Sequence, residues 1–73
     1  MAGDKSYDKL LVKISQNLKS YRKKKGLTQE DMADHGFNYR HYQKLEGGKY
    51  SPNLYTLHRL AKVFDVKISE LVE

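Results

Sequence analysis

From Tyr7 onward the apolar positions Leu11, Ile14, Leu18 and Tyr21 recur at spacings of three and four, with polar residues between them. That period lays one apolar stripe along a helix and predicts a first helix closing at Lys23, Lys24, Lys25 and Gly26. Cations there face the negative end of the helix dipole, and glycine suits the left-handed residue that ends a helix. Residues 1–6 are polar and read as a disordered N-terminal tail ahead of a single domain spanning residues 7–73.

The same punctuation repeats. In Leu27-Thr28-Gln29-Glu30-Asp31-Met32-Ala33-Asp34, Thr28 can cap, acids fill the first turn, and Leu27 can staple to Met32, which predicts a short second helix. Asn38 caps a third helix from Tyr39 to Glu46, with Phe37 set to pack on Tyr42 and Gly47-Gly48 ending it. A fourth helix starts either with Ser51 as cap and Pro52 in its first position or with Asn53 as cap. Leu54, Leu57, Leu60, Ala61 and Phe64 form its expected buried stripe, and Val66, Ile68, Leu71 and Val72 supply a last short helix or turn. No strand alternation, repeat or linker interrupts this pattern. The expectation is a compact all-α domain of five helices.

Length narrows the function classes. A chain of 73 residues buries only ~60% of the surface its unfolded form exposes, which disfavours a deep catalytic cleft. With no cysteine the chain has neither a disulfide framework nor a thiolate metal site, which suits a reducing interior. No apolar run approaches the ~20 residues that cross a bilayer, and no signal-peptide core follows the polar start, so a cytoplasmic location is expected. His35, His41 and His58 lack the spacing of a helical zinc pair, so no metal site is expected. Glu30, Asp31 and Asp34 are explained by capping and the helix dipole. With no nucleophile arrangement and no phosphate loop, no catalytic residue and no cofactor are assigned.

Fourteen Lys and Arg against nine Asp and Glu give a net charge of +5, which favours an anionic partner. The charge is uneven: Lys19, Arg22, Lys23, Lys24 and Lys25 crowd one segment, while Asp65, Glu70 and Glu73 lie near the C-terminus. The lysine run has two readings, helix-end solvation and salt-sensitive attraction to phosphates.

At about 100° per residue, Tyr39, Arg40, Gln43 and Lys44 share one side of the third helix, while Tyr42 and Leu45 point the opposite way. An ordinary solvated face mixes signs, yet this one carries no acid. Arg can grip guanine O6 and N7, Gln can read adenine or a phosphate, and Lys can read guanine or a phosphate, so the face suits a duplex major groove. Tyr39 has the alternative of packing on the surface.

These residues resemble a known family. Gly26-Leu27-Thr28-Gln29-Glu30-Asp31-Met32-Ala33, then Gly36 through Leu45-Glu46-Gly47-Gly48-Lys49, then Pro52-Asn53-Leu54 and Leu57-His58-Arg59-Leu60-Ala61, look like the phage-repressor helix-turn-helix family of Cro/CI or XRE type. The resemblance implies a five-helix domain with helix 2 crossing the DNA backbone and helix 3 in the major groove. By position it implies that Gln29 holds a phosphate and braces helix 3, and that Tyr39, Arg40 and Lys44 read bases, with Gln43 an adjacent candidate. It assigns Lys49, Tyr50 and Ser51 to a backbone-contacting loop. Arg22 and Glu46 match a structural ion pair between helices 1 and 3, although Arg22 could instead bind a phosphate. Two departures stand out. The segment between Ala33 and Gly36 is one residue shorter than usual, so the turn should be tighter with His35 near the junction. Tyr42 replaces an aliphatic core residue, leaving a hydroxyl in need of a partner.

A single module of this kind covers only ~600 to 1,000 Å² of DNA, so a homodimer on a near-palindromic operator is expected, with recognition helices about 34 Å apart. Val66, Ile68, Leu71 and Val72 either provide the pairing surface or simply close the core. The resemblance is to a stand-alone repressor or a restriction-modification controller, with double-stranded DNA as partner and RNA polymerase as a possible second one. The alternative is an antitoxin, with a toxin as its protein partner, that binds DNA secondarily.

Overall fold

Residues 5–73 are described by a computed structural model. The first helix, α1 (Lys5–Lys24), begins two residues before the apolar stripe does, so Lys5 and Ser6 are helical rather than part of a tail. The remaining tail positions, 1–4, lie outside the described residues. Leu11, Ile14 and Leu18 are buried on one side of α1, and Tyr21 stacks on Phe64 with ring centroids 6.4 Å apart. Leu27 N–H donates to Arg22 O and Gly26 N–H to Lys23 O, and Gly26 takes the left-handed conformation (φ 71°) that this closure requires.

The second element differs from an ordinary α-helix: η1 (Glu30–His35) is a 3₁₀ helix. Thr28 caps it as the sequence suggested, through a reciprocal pair in which Thr28 N–H donates to Asp31 Oδ2 (2.8 Å) and Asp31 N–H to Thr28 Oγ1 (3.1 Å). The shortened segment explains the winding. With one residue fewer before the turn, Gly36 N–H must close onto Ala33 O three residues back, and tighter i to i+3 bonding fits the shorter path. Gly36 is left-handed (φ 87°), and a Cβ there would sit 2.8 Å from an Arg59 guanidinium nitrogen.

After the turn, α2 (Tyr39–Glu46) is capped by Asn38, whose Oδ1 accepts from His41 N–H at 3.0 Å. The Phe37 and Tyr42 rings pack with centroids 6.2 Å apart, the hydrophobic staple expected across this cap. Next comes α3 (Leu54–Phe64). Asn53 is its cap, accepting from Thr56 N–H at 2.7 Å, which decides between the two starts the sequence allowed. The helix ends on Asp65 in a left-handed conformation (φ 57°). The last element, α4 (Ile68–Val72), is steadied where Lys67 N–H donates to Glu70 Oε2 at 2.8 Å.

One core joins all five elements: Ile14 and Leu18 of α1, Met32 of η1, Tyr42 and Leu45 of α2, Leu57, Leu60, Ala61 and Phe64 of α3, and Leu71 of α4. Val66, Ile68 and Val72 lie half-buried against that cluster and Leu71 is fully enclosed, so the apolar C-terminal segment closes the core. Leu54 departs from its expected place. It shares a helix direction with Ala61 to within about 20°, but in the first turn of α3 it overhangs the packed body and is 70% exposed, while Thr56 is buried. Asn17 ties the C-terminus to α1 by donating to the Leu71 and Glu73 carbonyls, each at 2.9 Å.

Candidate nucleic-acid interface

Tyr42 and Leu45 anchor the underside of α2 in the core, which turns Tyr39, Arg40, Gln43 and Lys44 to solvent, all four exposed. Neither Arg40 nor Lys44 forms an ion pair with any described residue, so both cations are available to an external partner. Lys49, Tyr50 and Ser51 follow in the exposed α2–α3 loop. Lys44, Gly47, Lys49 and Tyr50 line one shallow recess, which joins the end of α2 to this loop in a continuous surface. The Tyr50 ring stands edge-on to His41 (4.9 Å, 86°), fixing the loop against α2. Ser51 Oγ accepts from the Tyr7 hydroxyl.

Beneath this face lies a buried ion pair. Arg22 Nε donates to Glu46 Oε2 at 2.7 Å and a terminal nitrogen donates to Oε1 at 3.1 Å, with the side chains 10% and 2% exposed. Arg22 also donates to Leu27 O at 2.8 Å, so one guanidinium ties together α1, the loop before η1, and α2. Burial alone would push the Glu46 carboxyl up, but the hydrogen bonds from Arg22 and Gln29 outweigh it and hold the group below the usual carboxylate range. The Glu46 hydrogen bond raises the Arg22 guanidinium further against a smaller effect of burial.

Gln29 is half-buried and bridges the two layers: its Nε2 donates to Glu46 Oε1 at 3.0 Å, and its Oε1 faces Gln43 Nε2 at 3.4 Å. Gln43 Nε2 donates in turn to the Tyr39 hydroxyl at 2.9 Å. Gln29 and Tyr39 also flank one open groove with Arg22, Lys23 and Thr28. The Arg22–Glu46 pair, Gln29, Gln43 and Tyr39 thereby form one connected network, and Lys44, Lys49 and Tyr50 share the neighbouring recess.

Tyr42 lies beside this network. Its hydroxyl is buried and finds no well-formed hydrogen-bond partner among the described residues, although the Glu46 carboxylate is near enough to act on it. Burial first, and then that carboxylate, push the phenol far up, so it stays protonated.

Two residues of the site escaped sequence reasoning. Arg59 on α3 donates to Gly36 O (2.8 Å) and to His35 O (3.4 Å) and lies over the Phe37 ring at 4.3 Å, clamping the turn between η1 and α2. No local signal marks it, because its targets are more than twenty residues away. Tyr7 read only as the start of an amphipathic helix, yet its hydroxyl reaches the α2–α3 loop.

A capped 3₁₀ helix, a tight glycine turn and a short helix whose outer face bears donors and no acid define a helix-turn-helix module. The chain belongs to the XRE-type helix-turn-helix family of DNA-binding proteins: a family model described as helix-turn-helix matches residues 18–71. It is 38% identical over 60 residues to the uncharacterized HTH-type transcriptional regulator y4dJ of Sinorhizobium fredii, covering 81% of this chain and 78% of that one. To the uncharacterized HTH-type transcriptional regulator MJ0272 of Methanocaldococcus jannaschii it is 39% identical over 59 residues, covering 80% and 89%. A third relative, YqaE of Bacillus subtilis, carries the same description at 38% identity over 61 residues, 82% of this chain and 53% of its own. No solved structure gives a significant match. The family is one of non-enzymatic regulators, in keeping with the lack of any catalytic assignment. Among the described residues no helix is long and apolar enough to cross a membrane.

Proposed function

We propose that this protein is a sequence-specific transcriptional regulator that inserts α2 into the major groove of double-stranded DNA. The observation that carries the reading is the exposed, acid-free face of Tyr39, Arg40, Gln43 and Lys44, braced from beneath by the Arg22–Glu46 pair. In this reading Arg40 and Lys44 contact base edges with Tyr39 and Gln43 beside them, while Gln29, Lys49, Tyr50 and Ser51 grip the phosphates on either side. Occupancy of an operator in the cytoplasm, blocking or recruiting RNA polymerase, is the regulatory act, and repression is the simpler form.

The regulator acts as a homodimer, because one module covers too little DNA to select a site at genomic competition. Val66, Ile68, Leu71 and Val72 pack on the core, whereas Leu54 and Tyr55, 70% and 68% exposed at the start of α3, remain uncovered. That apolar patch supports an interaction surface for a second copy. Selection of bound sequences from a random duplex pool tests the proposal: the expected product is a near-palindrome with half-sites about one helical turn apart. A pool that never enriches contradicts DNA reading, and an enriched but asymmetric single site contradicts the dimer.

A further inference from the structure

The relay beneath α2 has a direction. Glu46, held ionised by Arg22, can only accept, so Gln29 must turn its amide nitrogen toward it, as the 3.0 Å contact has it. Rotating the Gln29 amide by half a turn would set carbonyl oxygen against carboxylate, two acceptors face to face. With its nitrogen committed, Gln29 offers Oε1 to Gln43, and Gln43 answers with Nε2 at 3.4 Å. The same nitrogen donates to the Tyr39 hydroxyl at 2.9 Å. The oxygen and nitrogen of a lone surface glutamine are interchangeable by rotation; here the buried charge removes that freedom.

We infer that Gln43 reads DNA as a hydrogen-bond acceptor only, through its outward carbonyl, and selects an exocyclic amino group: adenine N6 or cytosine N4. This rests on the proposed base reading by α2 and adds its chemical polarity. A glutamine free to rotate would grip adenine with two bonds, accepting from N6–H and donating to N7. Gln43 has its donors engaged by Tyr39 and Gln29 and retains the first bond alone. The Tyr39 hydroxyl, receiving from Gln43, keeps its own proton to give, which matches a phosphate oxygen. The specificity of an exposed residue is thus dictated by an ion pair that touches no base.

The test uses fluorescence anisotropy on the selected operator. A four-base scan of each half-site position with the wild type and with Gln43→Ala locates the pair whose preference the substitution relaxes. At that pair, a duplex lacking only the amino group (purine for adenine, or 2-pyrimidinone for cytosine) is expected to bind the wild type about fivefold or more weakly, and Gln43→Ala no differently. Where the base is adenine, its 7-deaza analogue, which lacks only the N7 acceptor, is expected to bind within about twofold of the natural duplex. Equal losses on deleting N7 and the amino group would show a two-bond grip and overturn the inference while leaving DNA reading by α2 intact. A scan in which Gln43→Ala relaxes no position overturns it in the same way. Indifference of the wild type to cognate and scrambled duplexes overturns both this inference and the reading beneath it.

Discussion

Arg22 near the end of α1 and Glu46 at the last position of α2 meet through two hydrogen bonds of 2.7 and 3.1 Å in a nearly closed pocket. The contact joins α1 to the helix that carries the exposed, acid-free face. Its carboxylate also receives Gln29, and Arg22 holds the loop that leads into η1.

Removing one partner leaves the other buried and unpaired. Arg22→Ala and Glu46→Ala are each expected to destabilise the fold by about 3 kcal/mol or more, and the double variant by less than the sum of the two. Urea unfolding of the four proteins measures the coupling; additive losses would mean that the pair contributes nothing as a pair.

Acid should weaken the protein through the same carboxylate. The folded pKa of Glu46 lies below its unfolded value, so its stabilisation is fully present above about pH 4.5 and is lost as pH falls through the folded value. Asp31, lowered by its bonds to Thr28, slopes the same way but lies near solvent, where the effect is screened. Thermal melts between pH 2 and 7 are expected to show a falling acid limb that is shallower, though not absent, in Glu46→Gln.

Tyr42→Phe should be neutral or stabilising, a rare outcome at a fully enclosed position. The ring and its packing on Phe37 are kept, and a buried hydroxyl without a well-formed bond, a liability of about 1 kcal/mol, is removed. A loss above about 1 kcal/mol in urea would reveal a working hydrogen bond to the Arg22–Glu46 pair.

On DNA, Arg40 and Lys49 should separate. Arg40→Ala is expected to weaken operator binding by about 1 to 3 kcal/mol with little change on scrambled duplex, and Lys49→Ala to weaken both and to reduce the salt slope by about one. Anisotropy titrations at two salt concentrations distinguish them; equal losses on both duplexes for Arg40→Ala would assign it to the phosphates.

Much of this architecture is written within a few residues at a time. The stripe of Leu11, Ile14 and Leu18, the Thr28 and Asn38 caps, and the staple of Phe37 on Tyr42 all depend on neighbours at most five positions apart, so the sequence alone identified them. The outward set on α2 was legible for the same reason: helical periodicity separates Arg40 and Lys44 from Tyr42 and Leu45 without knowledge of any other element. The pairing of Arg22 with Glu46 spans two helices and reached the sequence reading only through the family resemblance.

Other features depend on where elements end in space. Leu54 obeys the stripe of α3 and is still exposed, because periodicity gives a direction and says nothing about whether a partner lies that way. The clamp of Arg59 on Gly36 follows from a contact across the fold, and the choice of Asn53 over Ser51 as cap was settled only in the folded chain. The orientation of the Gln43 amide belongs here too. Its chemistry is symmetric in isolation, and only the assembled chain of Arg22, Glu46 and Gln29 breaks that symmetry, since a buried carboxylate accepts and cannot donate. Sequence by itself determined which residues face outward, through short-range helical geometry; the tertiary structure decided what those residues can offer, through electrostatic contacts between groups far apart in the chain.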